Sequence, residues 1–124
     1  MTAIFPEPIQ NLPLADVPLE GCTAYLCQSD THQVLFMRFD RDVEIPEHSH
    51  AAQWGVVLEG SIEMTIGGVT RTFTKGDRPY ISSGVRHSAR IHAGYADISF
   101  FDQKDRYKAK QAVSVRRRTK GVRR

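Results

Sequence analysis

In the stretch SIEMTI, residues 61–66, Ile62, Met64 and Ile66 alternate with Ser61, Glu63 and Thr65. This is the period-2 pattern of a strand with one buried and one wet face. A second strand pattern, VTRTFT, follows after only Gly67-Gly68. That pair predicts a two-residue hairpin, because both central positions of such turns tend to need positive φ. From Cys22 onward the chain repeats this design. CTAYLCQ, QVLFMRF, VEIP, WGVVL, RPYI, VRHSARI and YADISFF are short strand patterns, separated by SDTH, DRD, EG, KGD, SSG and HAG. Nothing up to Phe101 carries a helical period, and only DQKDRYKAKQAV beyond it is open to helix. Short strands at regular spacing with Gly-rich turns predict an all-β fold, an antiparallel barrel or sandwich. There is no internal repeat.

The ends read differently. Prolines at positions 6, 8, 13 and 18 forbid a helix there and predict an extended arm lying along a sheet or a partner subunit. The expected organisation is an arm over 1–20, a barrel over 21–102, and a basic segment over 103–124 that is flexible at its end.

Composition adds limits. The chain has 124 residues, 40% hydrophobic and 25% charged, which fits one soluble domain with its own core. No apolar run approaches the roughly 20 residues that span a bilayer. The N-terminus has acids and prolines where a secretory leader would carry a basic start and an apolar centre, so a cytoplasmic protein is expected. Cys22 and Cys27 fall in one predicted strand, on opposite faces and roughly 16 Å apart. They cannot bridge, and they read as free packing thiols of a reducing compartment. The net charge of +3 conceals a body of net −6 followed by a tail, 104–124, of net +9. Its last stretch, VSVRRRTKGVRR, can neutralise phosphates, but that stretch has no aromatic for base stacking and no partner motif. A nucleic-acid role is not favoured, and folding back on the acidic body explains the tail equally well.

The chemistry concentrates in HSHAAQ, residues 48–53, and in GDRPYISSGVRHSARI, residues 76–91. His48 and His50, two apart on a strand, point to the same side and can reach one ion. His87 opens a later strand. Imidazole suits Zn, Cu, Fe and Ni, and the Gln53 amide oxygen can complete a four-ligand set with positions left open. An HxH pair alone is weak evidence, since surface strands place polar residues at alternate positions anyway. His32 and His92 fall in turns and read as solvated loop residues. Trp54, Phe39, Met37 and Tyr80 are core or pocket lining, and Arg38, Arg78 and Arg90 either clamp a carboxylate or pair with the body's acids.

Together the two segments resemble the cupin superfamily, specifically its small single-domain, RmlC-like jelly-roll members. The first motif is carried by His48, His50, Gln53 and Gly60 with VVLEG, the second by Gly76, Asp77, Gly84 and His87. The resemblance covers about residues 20–101. It implies a double-stranded antiparallel β-helix and a divalent metal ion (Fe, Ni, Zn, Mn or Cu) held by His48, His50, Gln53 and His87. Dimerisation through the arm is also implied. Three positions depart from the pattern. Gln53 stands where Glu is commoner, which leaves the ion's charge uncompensated, favours an anionic substrate and holds hard cations less well. Only two residues separate His50 from Gln53, so strict alternation would give Trp54 the histidines' face unless a bulge or bend intervenes. Ser82 replaces a proline.

For function, the resemblance implies a mononuclear metalloenzyme of dioxygenase, isomerase or lyase type, acting on a small anionic organic molecule. The alternative is a small-molecule or metal-binding module without turnover. The sequence singles out no general base, so catalytic residues stay unassigned.

Overall fold

The computed structural model describes residues 3–110. Among them are one helical turn, α1 (Glu7–Gln10), and nine strands: β1 (Cys22–Gln28), β2 (Gln33–Phe39), β3 (Val43–His48), β4 (Gln53–Glu59), β5 (Ser61–Ile66), β6 (Val69–Thr74), β7 (Tyr80–Ile81), β8 (His87–Ile91) and β9 (Ala96–Phe101). All strand pairings are antiparallel. They form a five-stranded sheet in the order β1-β2-β9-β4-β7 and a four-stranded sheet in the order β3-β8-β5-β6. This is the predicted all-β jelly roll.

Alternation decides which side chains fill the space between the sheets. Leu35, Met37 and Phe39 of β2, Ile62 and Met64 of β5, and Ile91 of β8 point inward and are buried. The β5–β6 hairpin turns where expected, with Gly67 and Gly68 at φ 56° and 86° and Ile66 paired to Val69. Gly55 of β4 meets a different need. A Cβ there would lie 2.9 Å from the Ile98 carbonyl oxygen, so only glycine lets β4 approach β9 this closely.

One expectation for the N-terminal end is corrected. The prolines do not forbid helix: Pro6 caps α1 and Pro8 sits in its first turn. Proline is tolerated there because the first N–H groups of a helix have no intrahelical partner. Beyond α1 the arm lies along a sheet of its own chain, one of the two expected positions. The β1 edge is open, and the Ala15 amide donates to the Ala24 carbonyl at 2.8 Å while the Leu26 amide donates to the Pro13 carbonyl at 2.8 Å. Phe5 is buried edge-on against Tyr25 and Phe36, on the outer face of the sheet.

The described part of the basic segment, 103–110, contains no helix. It forms a strap beside the arm: the Asp16 amide donates to the Lys108 carbonyl, and the Lys110 amide to the Leu14 carbonyl, each at 2.7 Å. Gln33, completely buried on β2, donates from its side-chain amide to the Tyr107 carbonyl at 2.7 Å and accepts from the Tyr107 amide at 3.1 Å. A buried amide inside a strand is costly unless satisfied, and this one is satisfied by holding the strap on the barrel. The arginine-rich stretch 116–124 lies outside the described residues. No described helix is long and apolar enough to cross a membrane.

Candidate metal centre

A cavity of about 350 Å³ opens between the sheets, with walls that are mostly apolar. His48, His50, His87 and Gln53 all line it. The route by which the two nearby histidines arrive differs from the sequence expectation. His48 is the last residue of β3, whereas His50 lies in the 49–52 connection that carries the chain from one sheet to the other. They therefore do not share a face of one strand.

His48 faces inward because of a bulge. Ile45 pairs with Ala89 and His48 with His87, so three steps along β3 match two along β8. The extra residue reverses the alternation set by Val43 and Ile45. It turns His48 to the cavity and Glu47 out to Arg86, 3.2 Å away. At the other side of the corner alternation starts afresh. Gln53, the first residue of β4, points to the cavity, and Trp54 points out with 43% of its surface exposed. The bend required to bring Gln53 inward is thus the change of sheet itself. The SSG turn ties the two motifs together, since the Gly84 amide donates to the His50 carbonyl at 2.9 Å.

The three imidazoles converge. One ring nitrogen from each of His48, His50 and His87 lies within 4.8 Å of the others. Each ring is oriented by a backbone carbonyl against its Nδ1: Pro46 at 2.9 Å for His48, Ala51 at 2.7 Å for His50 and Val85 at 2.9 Å for His87. Those carbonyls place the proton on Nδ1 and leave Nε2 with a free lone pair, the arrangement that outer partners impose on ligating histidines. Burial, reinforced by the neighbouring Arg106 and imidazole charges, holds His50 down at about 4. His87 is lowered for the same first reason. Both rings are therefore neutral near pH 7 and able to donate to a cation. The Nε2 atoms of His50 and His87 lie 3.1 Å apart. Two nitrogens about 2.1 Å from one ion and roughly at right angles stand about 3.0 Å apart, so the donor set fits a metal ion.

The cavity continues along β9, whose inward residues are Phe101, Ser99 and Asp97. Phe101 touches His50, with ring centroids 5.5 Å apart. Asp97 lies about 13 Å further along the strand, four residues at about 3.3 Å each. It is buried, accepting from the Tyr95 hydroxyl at 2.6 Å and the Ser99 hydroxyl at 3.1 Å. Burial pushes its carboxyl up to about 6, against the pull of those two hydrogen bonds. The alternation of ADISFF carried a signal for this group, because Asp97 shares the parity of Phe101. Arg106 and Tyr107, which reach the cavity from the strap, had none.

The other candidates fall elsewhere. Met37 and Phe39 are buried and line the cavity, but Trp54 and Tyr80 do neither, with exposures of 43% and 57%. Both lie on the outward parity of the β4–β7 pair. Arg38 pairs with Asp40 at 2.8 Å and Arg90 with Glu44 at 3.5 Å, and Arg78 borders an outer depression with Tyr80. None of these arginines lines the histidine cavity. His32 bonds Thr31, and His92 lies 3.7 Å from Glu63. Cys22 and Cys27 are free, and burial pushes the Cys22 thiol up to about 12, as for an inert packing residue.

Known proteins share this architecture. An RmlC-like cupin from Shewanella frigidimarina superimposes with a TM-score of 0.68 at 22% identity, over 85% of this chain and 94% of that one. KdgF from a Halomonas species gives 0.65 at 20%, over 85% and 97%. Oxalate decarboxylase from Bacillus subtilis, a protein with Mn(II) centres, gives 0.64 at 22%, over 77% of this chain, which spans 28% of that one. At such identities the likeness establishes the fold alone. No curated protein shows significant similarity to the chain. Residues 35–102, which hold the histidines, Gln53 and most of the cavity wall, match the cupin domain, and the chain belongs to that family.

Proposed function

We propose that this cupin binds one divalent transition metal ion through His48, His50 and His87, with Gln53 as a fourth donor, and uses it to bind a small anionic organic molecule in the cavity. The carrying observation is the convergence of three imidazoles whose Nδ1 atoms are engaged by carbonyls, on a largely apolar cavity. A bound ion would supply Lewis acidity and, for iron or copper, access to O₂ chemistry. The chain's own residues orient the ligand and exclude water: Ile62, Met64, Val57 and Phe101 form a dry wall. A neutral donor set supports an anionic ligand over a neutral one. This fits a mononuclear enzyme of dioxygenase, isomerase or lyase type.

The second reading is a binding module without turnover. It is favoured by the position of Asp97, the buried carboxyl of the cavity, which stands about 13 Å along β9 from the histidine end. Only a ligand long enough to span that distance could exchange a proton with it. Incubating metal-loaded and metal-free protein with small carboxylates and diketones, followed by NMR, separates the readings. Turnover confined to loaded protein supports the enzyme, and binding without turnover supports the module. If neither occurs with loaded protein, the proposal fails.

We also propose a homodimer, formed through the outer face of the five-stranded sheet. Val34, Phe100, Trp54 and Tyr80 lie in one row across β2, β9, β4 and β7. An outward row of this composition supports association with a second sheet. The two free cysteines fit a cytoplasmic setting.

A further inference from the structure

The strap places a positive charge at the histidine end of the cavity. Arg106 lines the cavity, and its charge contributes to the lowering of both His50 and His87. Its backbone neighbours are fixed on both sides. The Gln28 side chain donates to the Lys104 carbonyl at 2.8 Å, and Gln33 holds the Tyr107 backbone in both directions. The guanidinium lies over the Tyr107 ring, 4.5 Å from its centroid, which restricts its swing. Tyr107 packs edge-on against Phe101, which itself touches His50. The arginine is thus built into the wall rather than hanging over it.

Its hydrogen bonding is incomplete. The Nε of Arg106 is buried with no acceptor, and no carboxylate pairs with this arginine among the described residues. Every other buried side-chain nitrogen or oxygen among the described residues has a partner. A buried cationic donor without an acceptor is unfavourable unless something else supplies one. The residues at this end bring no carboxylate, since they are three imidazoles and the Gln53 amide.

We propose that Arg106 is the ligand's carboxylate clamp, which narrows the ligand to a carboxylate with a short apolar body. The planar guanidinium fork matches a carboxylate, and the anion balances the charge of this end. The apolar wall running toward Asp97 takes the body. This deepens the proposed function by naming the ligand class, but the contact itself does not require the metal.

The test uses full-length protein loaded with zinc, titrated calorimetrically with butyrate and with butyramide. Arg106→Met keeps an unbranched apolar stem and removes the fork. The expected result is unchanged zinc content and circular dichroism, with butyrate affinity lowered about 10- to 100-fold and butyramide unaffected. Equal butyrate affinity in a folded, zinc-loaded Arg106→Met overturns the proposal, as does failure of the unaltered protein to bind millimolar butyrate. Should Arg106→Met not fold, Arg106→Gln decides by the same readout. If the unaltered protein takes up no zinc, the metal reading is what is weakened, and the titration is repeated without metal. Butyrate binding that depends on Arg106 then supports the clamp on its own, and Arg106-independent binding rejects it.

Discussion

The Nε2 atoms of His50 and His87 face each other at 3.1 Å while both Nδ1 atoms are engaged by backbone carbonyls. Two lone pairs at that distance repel, and an ion between them turns the repulsion into two bonds. Metal should therefore stabilise the fold. At free metal about 100 times Kd, linkage gives about 2.7 kcal/mol. For a domain of this size that is a rise in Tm of roughly 10 °C. Scanning calorimetry with and without metal should show the rise in the unaltered protein and lose most of it in His87→Ala. An equal rise in His87→Ala would place the ion elsewhere.

Gln53 stands on the same wall as the histidines but brings no charge. Gln53→Glu adds an anionic donor of nearly the same shape, so metal affinity should rise by about tenfold or more and butyrate affinity should fall. Competition with a chromophoric chelator reads the first change, and calorimetry the second. Unchanged metal affinity would mean that this side chain does not reach the ion.

Asp97 supplies a pH test. Its carboxyl is raised from 3.8 to about 6 by burial, so the native state holds a proton that the unfolded chain has released. The stability due to this proton is fully present below about pH 4 and lost as the pH rises through about 6, amounting to about 3 kcal/mol. His50 acts in the opposite sense, since its lowered value removes stability as the pH falls below 6.5 toward 4. Comparing the protein with Asp97→Asn cancels the His50 part. In urea unfolding with chelator present, the stability of the unaltered protein relative to Asp97→Asn should fall by about 3 kcal/mol between pH 4 and pH 7.5. A difference independent of pH would contradict the burial argument.

Trp54 and Tyr80 pair across the outer edge of the five-stranded sheet, 43% and 57% exposed. If this row is the dimer contact, light scattering at micromolar concentration should give twice the chain mass for the unaltered protein. Trp54→Lys combined with Tyr80→Lys should give the monomer mass with little loss of stability, because neither side chain is buried in the single chain. A monomer before substitution rejects the dimer.

The sequence made the barrel legible because its strands alternate cleanly, as in SIEMTI, and because Gly67-Gly68 marks its turn unambiguously. The histidines were legible as residue types at recurring spacings, but not their route to one another. The His48 bulge depends on pairing with β8, some forty residues away, and the inward turn of Gln53 depends on the change of sheet. No local pattern encodes either. The same holds for Arg106. It sits in a polar run that reads as tail, and residues far away in sequence, the buried Gln33 on β2 and Gln28 on β1, hold its strap at the cavity.

The most direct test is elemental analysis of untagged full-length protein, purified without chelator or metal resin, alongside His48→Ala, His87→Ala and Gln53→Ala. The account predicts close to one transition metal ion per chain, lost in both histidine variants and reduced in Gln53→Ala. Absence of metal, even after each of iron, nickel, copper, manganese and zinc is offered back, would contradict it and leave the three imidazoles as polar lining for an organic ligand.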